Sequence, residues 1–238
     1  MKLALITGGK RRVGAAIAKR LAADGWTLAL HSHYQTSDQT HYADAQSFVA
    51  DLADPHAVDR LVTEVTSCFG TAPTLLVNNA SRFVWDDAAT LTPATLAEHH
   101  AINAAAPVLL TIALSRTNAT GSVVNILDQR IQNPNGDQLA YTLSKTALAG
   151  ATRTLAAALA PRWRINAVAP GLTMPTADYD EARMARLTEE MPLKRLSQPE
   201  DIAEAVAYLS AATAVTGQTI FVDGGANLKS FDRDFVFL

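Results

Sequence analysis

Leu3-Ala4-Leu5-Ile6-Thr7-Gly8-Gly9-Lys10-Arg11-Arg12-Val13-Gly14 is the stretch on which the reading of the whole chain turns. Four apolar residues in a row, without polar alternation, fit a short strand buried on both faces, as in a parallel sheet. The glycines end that strand. Apolar residues at Val13, Ala16, Ile17 and Leu21 then follow at helical spacing, closed by Asp24-Gly25. Strand, glycine turn and helix in immediate succession place backbone N–H groups and the positive end of a helix dipole at one point. That geometry suits a pyrophosphate.

The pattern repeats along the chain. Trp26–Leu30, Ser47–Ala50, Leu75–Val77, Ser122–Ile126, Ile165–Val168 and Thr219–Val222 read as further strands. Helical patterns lie between them near 56–69, 94–116, 139–160 and 200–211, with a short one near 37–45. Alternating strands and helices with buried strands predict an α/β fold: a Rossmann-type, doubly wound parallel sheet of seven strands with helices on both faces. A single domain spanning 1–238 is expected, in which 173–197 is an irregular excursion, either a substrate lid or a variable surface loop.

Composition narrows the function. The 238 residues are 48% apolar and 18% charged, enough for one core that needs no staples. Twenty basic residues against 23 acidic give a net charge of −3, so no basic field points to a nucleic-acid or membrane partner. Cys68 is the single cysteine, which excludes an internal disulfide and a thiolate metal cluster. No apolar run reaches the ~18 residues of a membrane span. Met1–Ile6 is shorter than the roughly 7–15-residue core of a secretory signal, so a cytoplasmic location is expected.

The cofactor turn carries Lys10, Arg11 and Arg12. They form either a solvated cationic loop or a cradle for a ligand with additional phosphate charge, onto which arginine can fork. The second strand ends His31-Ser32-His33-Tyr34, where an NAD site has an acid for the ribose hydroxyls. With no acid before Asp38, nothing there repels a 2′-phosphate, and the expected cofactor is NADPH. His31 and His33 as metal ligands would lack third and fourth partners at useful spacing, so no metal is expected.

Tyr141 and Lys145 are four residues apart on a predicted helix, which puts phenol and ammonium on one face. A nearby cation lowers a phenol's pKa and makes it a better proton carrier. Thirteen residues earlier, Asp128 follows a strand end that can open onto the same crevice.

In order, Thr7-Gly8 with Gly14, Asp51-Leu52, Asn78-Asn79-Ala80, Asn103, Tyr141 with Lys145, and Pro170-Gly171 resemble the motifs of the short-chain dehydrogenase/reductase family over the full length. The resemblance implies Tyr141 as general acid/base, Lys145 on the nicotinamide ribose, and Asn103 supporting a water-linked proton relay. It also implies cofactor contacts from Gly8, Val13, Gly14, Asp51, Leu52, Asn79, Ala80, Ser81, Pro170, Gly171 and Thr173, and a homotetramer. Two departures stand out: Asp128 replaces the family's serine, and Arg12 replaces the middle glycine of the turn. With Asn79-Ala80-Ser81-Arg82-Phe83, both are similar to the pteridine reductase branch, which includes alternative dihydrofolate and dihydromonapterin reductases. That branch implies a pterin or folate substrate, stacked on Phe83, bound at its polar edge by Ser81 and Arg12, with Asp128 and Tyr141 handling protons. An arginine follows the second strand in that branch, whereas this chain has Tyr34, leaving the phosphate contact to Arg11, Ser32, His33 or Gln35.

The chemistry agrees with that reading. Reducing a dihydropterin C=N bond needs hydride on carbon and a proton on nitrogen, and a carboxyl group feeds a proton better than a serine hydroxyl does. A carboxylate accepts from aminopyrimidine N–H groups and repels a carbonyl oxygen. Three alternatives stand beside it: a reductase of 3-oxoacyl, sugar or steroid carbonyls; a non-catalytic NADP-binding sensor; and, for Phe83, an ordinary core position. Arg82 and Trp85 flank the pocket without an assigned role. The alanine-rich helix over 140–160 reads either as a close helix contact between subunits or as plain helix propensity. The aromatic tail Phe231–Leu238 either docks on a neighbour or folds back.

Overall fold

Leu3 and Leu5 point to one side of strand β1 (Leu3–Ile6), and Ala4 and Ile6 to the other; all four are fully buried. This two-sided burial is repeated in β4 (Leu75–Asn78) and β5 (Gly121–Ile126), and it requires helices on both faces. The computed structural model describes residues 1–35, 42, 45–174 and 181–235. The remaining strands are β2 (Thr27–Ser32), β3 (Ala45–Val49), β6 (Trp163–Pro170) and β7 (Thr219–Val222). All seven pair in parallel in the order β3-β2-β1-β4-β5-β6-β7. The order reverses between β1 and β4, where a doubly wound sheet opens its ligand crevice.

On one face Leu3, Leu5, Leu76 and Val123 pack against α2 (Pro55–Phe69) and α4 (Ala106–Ser115) through Val58, Leu61 and Leu110. On the other, Ala4, Ile6, Val77 and Val124 meet α1 (Arg12–Ala23) and α7 (Pro199–Ala211) through Ile17, Leu21, Ile202 and Val206. Each fully buried leucine or isoleucine contributes about 1.5–3 kcal/mol of burial free energy. The helices start where the sequence supplies caps. Asp54 accepts from His56 N at 2.9 Å ahead of Pro55, and Thr92 accepts from Thr95 N at 3.1 Å ahead of α3 (Pro93–His100).

Five sequence expectations are adjusted. The helix expected over 94–116 is α3, a π-helical turn at Ala101–Ala105, and α4. Pro107 lacks the N–H that would bond the carbonyl of Asn103, and the wider turn accommodates that gap. The third strand begins at Ala45 rather than Ser47, and the second extends to Ser32. The short helix expected near 37–45 lies mostly outside the described residues, and Ala45 opens a strand. Within the irregular 173–197 excursion a helix forms, α6 (Glu181–Glu190). The tail folds back on its own chain, with Phe235 buried; its last three residues are outside the described set. No described helix is long and apolar enough to cross a membrane.

Candidate active site

A cleft of about 1320 Å³ runs along the carboxyl ends of the strands. Its first wall is the turn between β1 and α1. Gly8 takes φ +62°, and a Cβ on Gly14 would fall inside the contact shell of Gly8 O and 2.7 Å from Asn79 Nδ2. Glycine is required at Gly14 by this close packing. Arg12 stands at φ +51°, in the left-handed region where L side chains are strained and a glycine would not be.

The turn is held from beneath. Thr7 Oγ1 accepts from Asn79 N at 2.9 Å and Ala80 N at 3.0 Å, while Asn79 Nδ2 donates to Thr7 O and Gly8 O at 2.9 and 3.2 Å. His31, 1% exposed, accepts at Nδ1 from Gly8 N at 3.3 Å and meets Ala50 O at 3.0 Å through Nε2. That pattern fixes the neutral ring with its proton on Nε2, and burial lowers its pKa accordingly. With both nitrogens engaged, His31 braces the turn rather than presenting a ring nitrogen to a ligand. Lys10, Arg11, Arg12, Val13, Ser32, His33, Asp51 and Leu52 line this end of the cleft. His33 Nδ1 lies 3.7 Å from Asp51 Oδ1, and Ser32 Oγ donates to Tyr34 O at 2.8 Å.

At the other end, α5 (Leu139–Leu159) delivers Tyr141 and Lys145 on its first turns. Its N-terminus is fixed by the buried Asp86, which accepts from Ala140 N at 3.2 and 3.3 Å. Tyr141 donates its hydroxyl proton to Asp128 Oδ2 at 3.0 Å. Phe83 meets the Tyr141 ring edge-on at 4.7 Å and is 52% exposed, so it faces the cleft and is no core residue. Lys145 Nζ donates to Ile126 O at 2.7 Å.

The expected lowering of the phenol by Lys145 is not what the structure shows. Burial first, and then the Asp128 charge, push Tyr141 well above the usual phenol range, against a weaker lowering by Arg130. Burial also brings Lys145 down to about 8, opposed by Asp128. Sequence shows which charges are near but not how dry the site is, and here desolvation dominates.

Ser81, Asn79, Ala80, Asp128, Pro170, Gly171 and Thr173 also line the cleft. Asn103, 1% exposed, stands behind its wall on the π-helical turn. Its Oδ1 accepts from Arg82 N at 2.7 Å and Ser81 Oγ at 3.2 Å, and its Nδ2 donates to Arg82 O and Ser144 Oγ, both at 2.9 Å. Asn103 thereby fixes the loop that presents Ser81 and Phe83. Arg82 also lines the cleft and pairs with Glu98 at 3.0 Å.

Sequence reasoning missed Arg130, Gln138, Asp234 and Phe235, all on the cleft lining. Arg130 is 5% exposed, bonds Gln138 and Asp234, and stands 5.8 Å from the Phe83 and Tyr141 ring centroids. Its one local signal is proximity to Asp128, whose carboxylate accepts from Arg130 N at 2.9 Å.

A glycine turn at the sheet's switch point and a Tyr–Lys pair across the crevice define a nucleotide-binding oxidoreductase. A family model described as enoyl-(acyl carrier protein) reductase matches residues 8–227, and the chain belongs to the short-chain dehydrogenase/reductase family. It is 32% identical to human dehydrogenase/reductase SDR family member 4, covering 94% of this chain and 87% of that one. It is likewise 32% identical to the 3-oxoacyl-[acyl-carrier-protein] reductase FabG of Staphylococcus aureus, covering 94% and 97%. Among solved structures, FolM alternative dihydrofolate reductase 1 from Brucella canis, complexed with NADP, is 37% identical with a TM-score of 0.87, covering 95% of this chain and 94% of that one.

Proposed function

We propose that this protein is an NADPH-dependent reductase of the C=N bond of a dihydropterin: dihydrofolate, dihydrobiopterin or dihydromonapterin. The cradle fits the dinucleotide. Gly14 leaves no room for a side chain between turn and helix, Lys10, Arg11 and Arg12 line the same end, and none of residues 31–35 is acidic. The cationic turn would take the phosphates, with His33 and Ser32 beside the 2′-phosphate. Asp51 and Leu52 would border the adenine, Asn79 and Ala80 the riboses, and Lys145, Pro170, Gly171 and Thr173 the nicotinamide end. The similarity to an NADP-bound FolM reductase supports the same cofactor. NADPH, when bound, supplies the hydride.

The observation that carries the substrate assignment is the Tyr141 hydroxyl donating to Asp128 at 3.0 Å on the cleft wall. Tyr141, kept protonated by burial and by Asp128, is the proton donor. Asp128 orients that hydroxyl and accepts from the N–H groups of an aminopyrimidine, whereas it would repel a ketone oxygen. Phe83 offers a half-exposed aromatic surface for stacking, and Ser81 and Arg12 stand on the lining to meet the ring's polar edge. The excursion 173–197, whose Thr173 and Met174 line the cleft, is assigned as the substrate cover, and the assembly as a homotetramer.

The test is NADPH oxidation with each dihydropterin beside a panel of ketones and a 3-oxoacyl thioester. Turnover of dihydropterins is the expected result. Turnover of carbonyls with silence on all three pterins would move the enzyme to the carbonyl class, the class of its FabG relative.

A further inference from the structure

The C-terminal segment returns to the substrate end of the cleft and is bolted there. Gly136 N donates to Asp232 O at 3.1 Å, and Asp234 N donates to both carboxylate oxygens of Asp137, at 3.0 and 3.2 Å. Phe235, 3% exposed, packs with Leu187, Met191 and Ala226. This places the Asp234 carboxylate, 2% exposed, against the Arg130 guanidinium, whose other terminal nitrogen donates to Gln138 Oε1. Arg130 Nε has no hydrogen-bond partner among the described residues. The cation is therefore tethered on its far side by the tail and faces the Phe83 and Tyr141 rings on its near side.

Burying an arginine–carboxylate pair carries a desolvation cost that an apolar contact of the same size avoids. The tail is also held without the charged pair, by Phe231 and Phe235, which stack edge to face at 5.0 Å, and by its backbone bonds to Gly136 and Asp137. The charged pair thus has a role beyond holding the tail. We propose that Arg130 and Asp234 are positioning residues, a charge pair by which the C-terminal segment sets the electrostatic balance at the Tyr141 hydroxyl. The inference rests on Tyr141 being the proton donor.

The charged groups around Tyr141, at its hydroxyl, over its ring or behind Arg130, come from several elements. Asp128 follows β5, Arg130 sits on the 3-10 turn Gln129–Ile131, Lys145 is on α5, and Asp234 is on the tail. Asp137 stands behind Arg130, with Arg233 3.9 Å from it. Asp128 and Asp234 favour the neutral phenol, and Arg130 favours its ionised form. Arg130 and Asp234 therefore act in opposite senses, a signature that a purely architectural pair would lack. Removing the cation weakens Tyr141 as an acid, and removing the tail carboxylate strengthens it.

The experiment reads single-turnover NADPH oxidation in H₂O and D₂O, with whichever dihydropterin or ketone the wild type turns over, so that product release does not mask the proton step. Arg130→Met is expected to lower the rate about tenfold and enlarge the solvent isotope effect, with NADPH affinity and substrate KM within about threefold. Arg130→Lys, which keeps the charge, is expected to recover most of the rate. Asp234→Asn is expected to shrink the isotope effect. Should Arg130→Met fail to fold, Arg130→Gln, which removes the charge and keeps a polar group for Gln138 and Asp234, takes its place beside Asp234→Asn. Isotope effects that move in the same direction in Arg130→Met and Asp234→Asn, or do not move in either, overturn the inference. Tyr141→Phe with full turnover would defeat the donor assignment and this inference with it. An inactive Tyr141→Phe beside unmoved isotope effects would defeat this inference alone.

Discussion

Asp128 accepts from two directions at once: from the Tyr141 hydroxyl at 3.0 Å through Oδ2, and from Arg130 N at 2.9 Å through Oδ1. The second bond caps the 3-10 turn and holds the carboxylate at a fixed angle to the phenol. A serine keeps a capping oxygen but loses the second acceptor. Asp128→Ser is therefore expected to change stability by less than about 1 kcal/mol, as read by thermal melting. Its dihydropterin turnover should fall at least ~10-fold, with NADPH affinity nearly unchanged. An undiminished pterin rate would remove the basis for the substrate assignment.

Tyr141 contributes a proton and a ring, and the two can be separated. Tyr141→Phe preserves the edge-to-face contact with Phe83 at 4.7 Å and removes only the hydroxyl. Turnover should fall by about 10²–10⁴-fold, the usual weight of a general acid. NADPH affinity, measured by fluorescence titration, should stay within about threefold of wild type. Equal loss of both would mean that the hydroxyl serves cofactor binding instead.

Lys145 is 2% exposed, and burial lowers its pKa from 10.5 to about 8, with Asp128 opposing. Below pH 8 both folded and unfolded chains carry the proton, and the burial cost, on the order of 3 kcal/mol, is fully present. Between about 8 and 10.5 the folded chain releases the proton while the unfolded chain keeps it, so this group makes stability rise with pH. Lys145→Met removes that dependence. Urea melts at pH 7 and pH 10 should show the stability of the variant relative to wild type falling by about 2 kcal/mol over that range. A constant difference would place the lysine pKa outside the window.

The layout of the sheet was legible because its central strands are unbroken apolar runs. Leu3–Ile6 and Leu75–Val77 can be nothing but two-sided core once glycine and asparagine end them. Strand β3 was harder to place. Its residues Gln46, Ser47 and Val49 are exposed, so it carries little apolar signal. The phosphate turn could be read because its glycines, strand and helix are contiguous, and the Tyr141–Asp128 encounter because a strand end and a helix start meet at one sheet edge. Arg130 was out of reach: its carboxylate partner Asp234 lies 104 residues away, and no periodicity announces that contact. Burial was equally hidden, which is why Lys145 was expected to lower a phenol that desolvation instead raises.

Two glycines separate architecture from propensity. A Cβ on Gly14 would collide with Gly8 O and stand 2.7 Å from Asn79 Nδ2, so the cofactor turn must open to admit it. Gly150 lies within α5 and a Cβ there meets nothing within 4 Å. Gly14→Ala is expected to weaken NADPH binding at least ~10-fold and lower the melting temperature, because turn and helix can no longer approach. Gly150→Ala should stabilise the chain by about 0.5–1 kcal/mol and leave NADPH affinity unchanged, since it gains helix propensity alone. Paired melts and NADPH titrations check both. Normal NADPH binding by Gly14→Ala would show that the close approach of turn and helix is not what shapes the cradle.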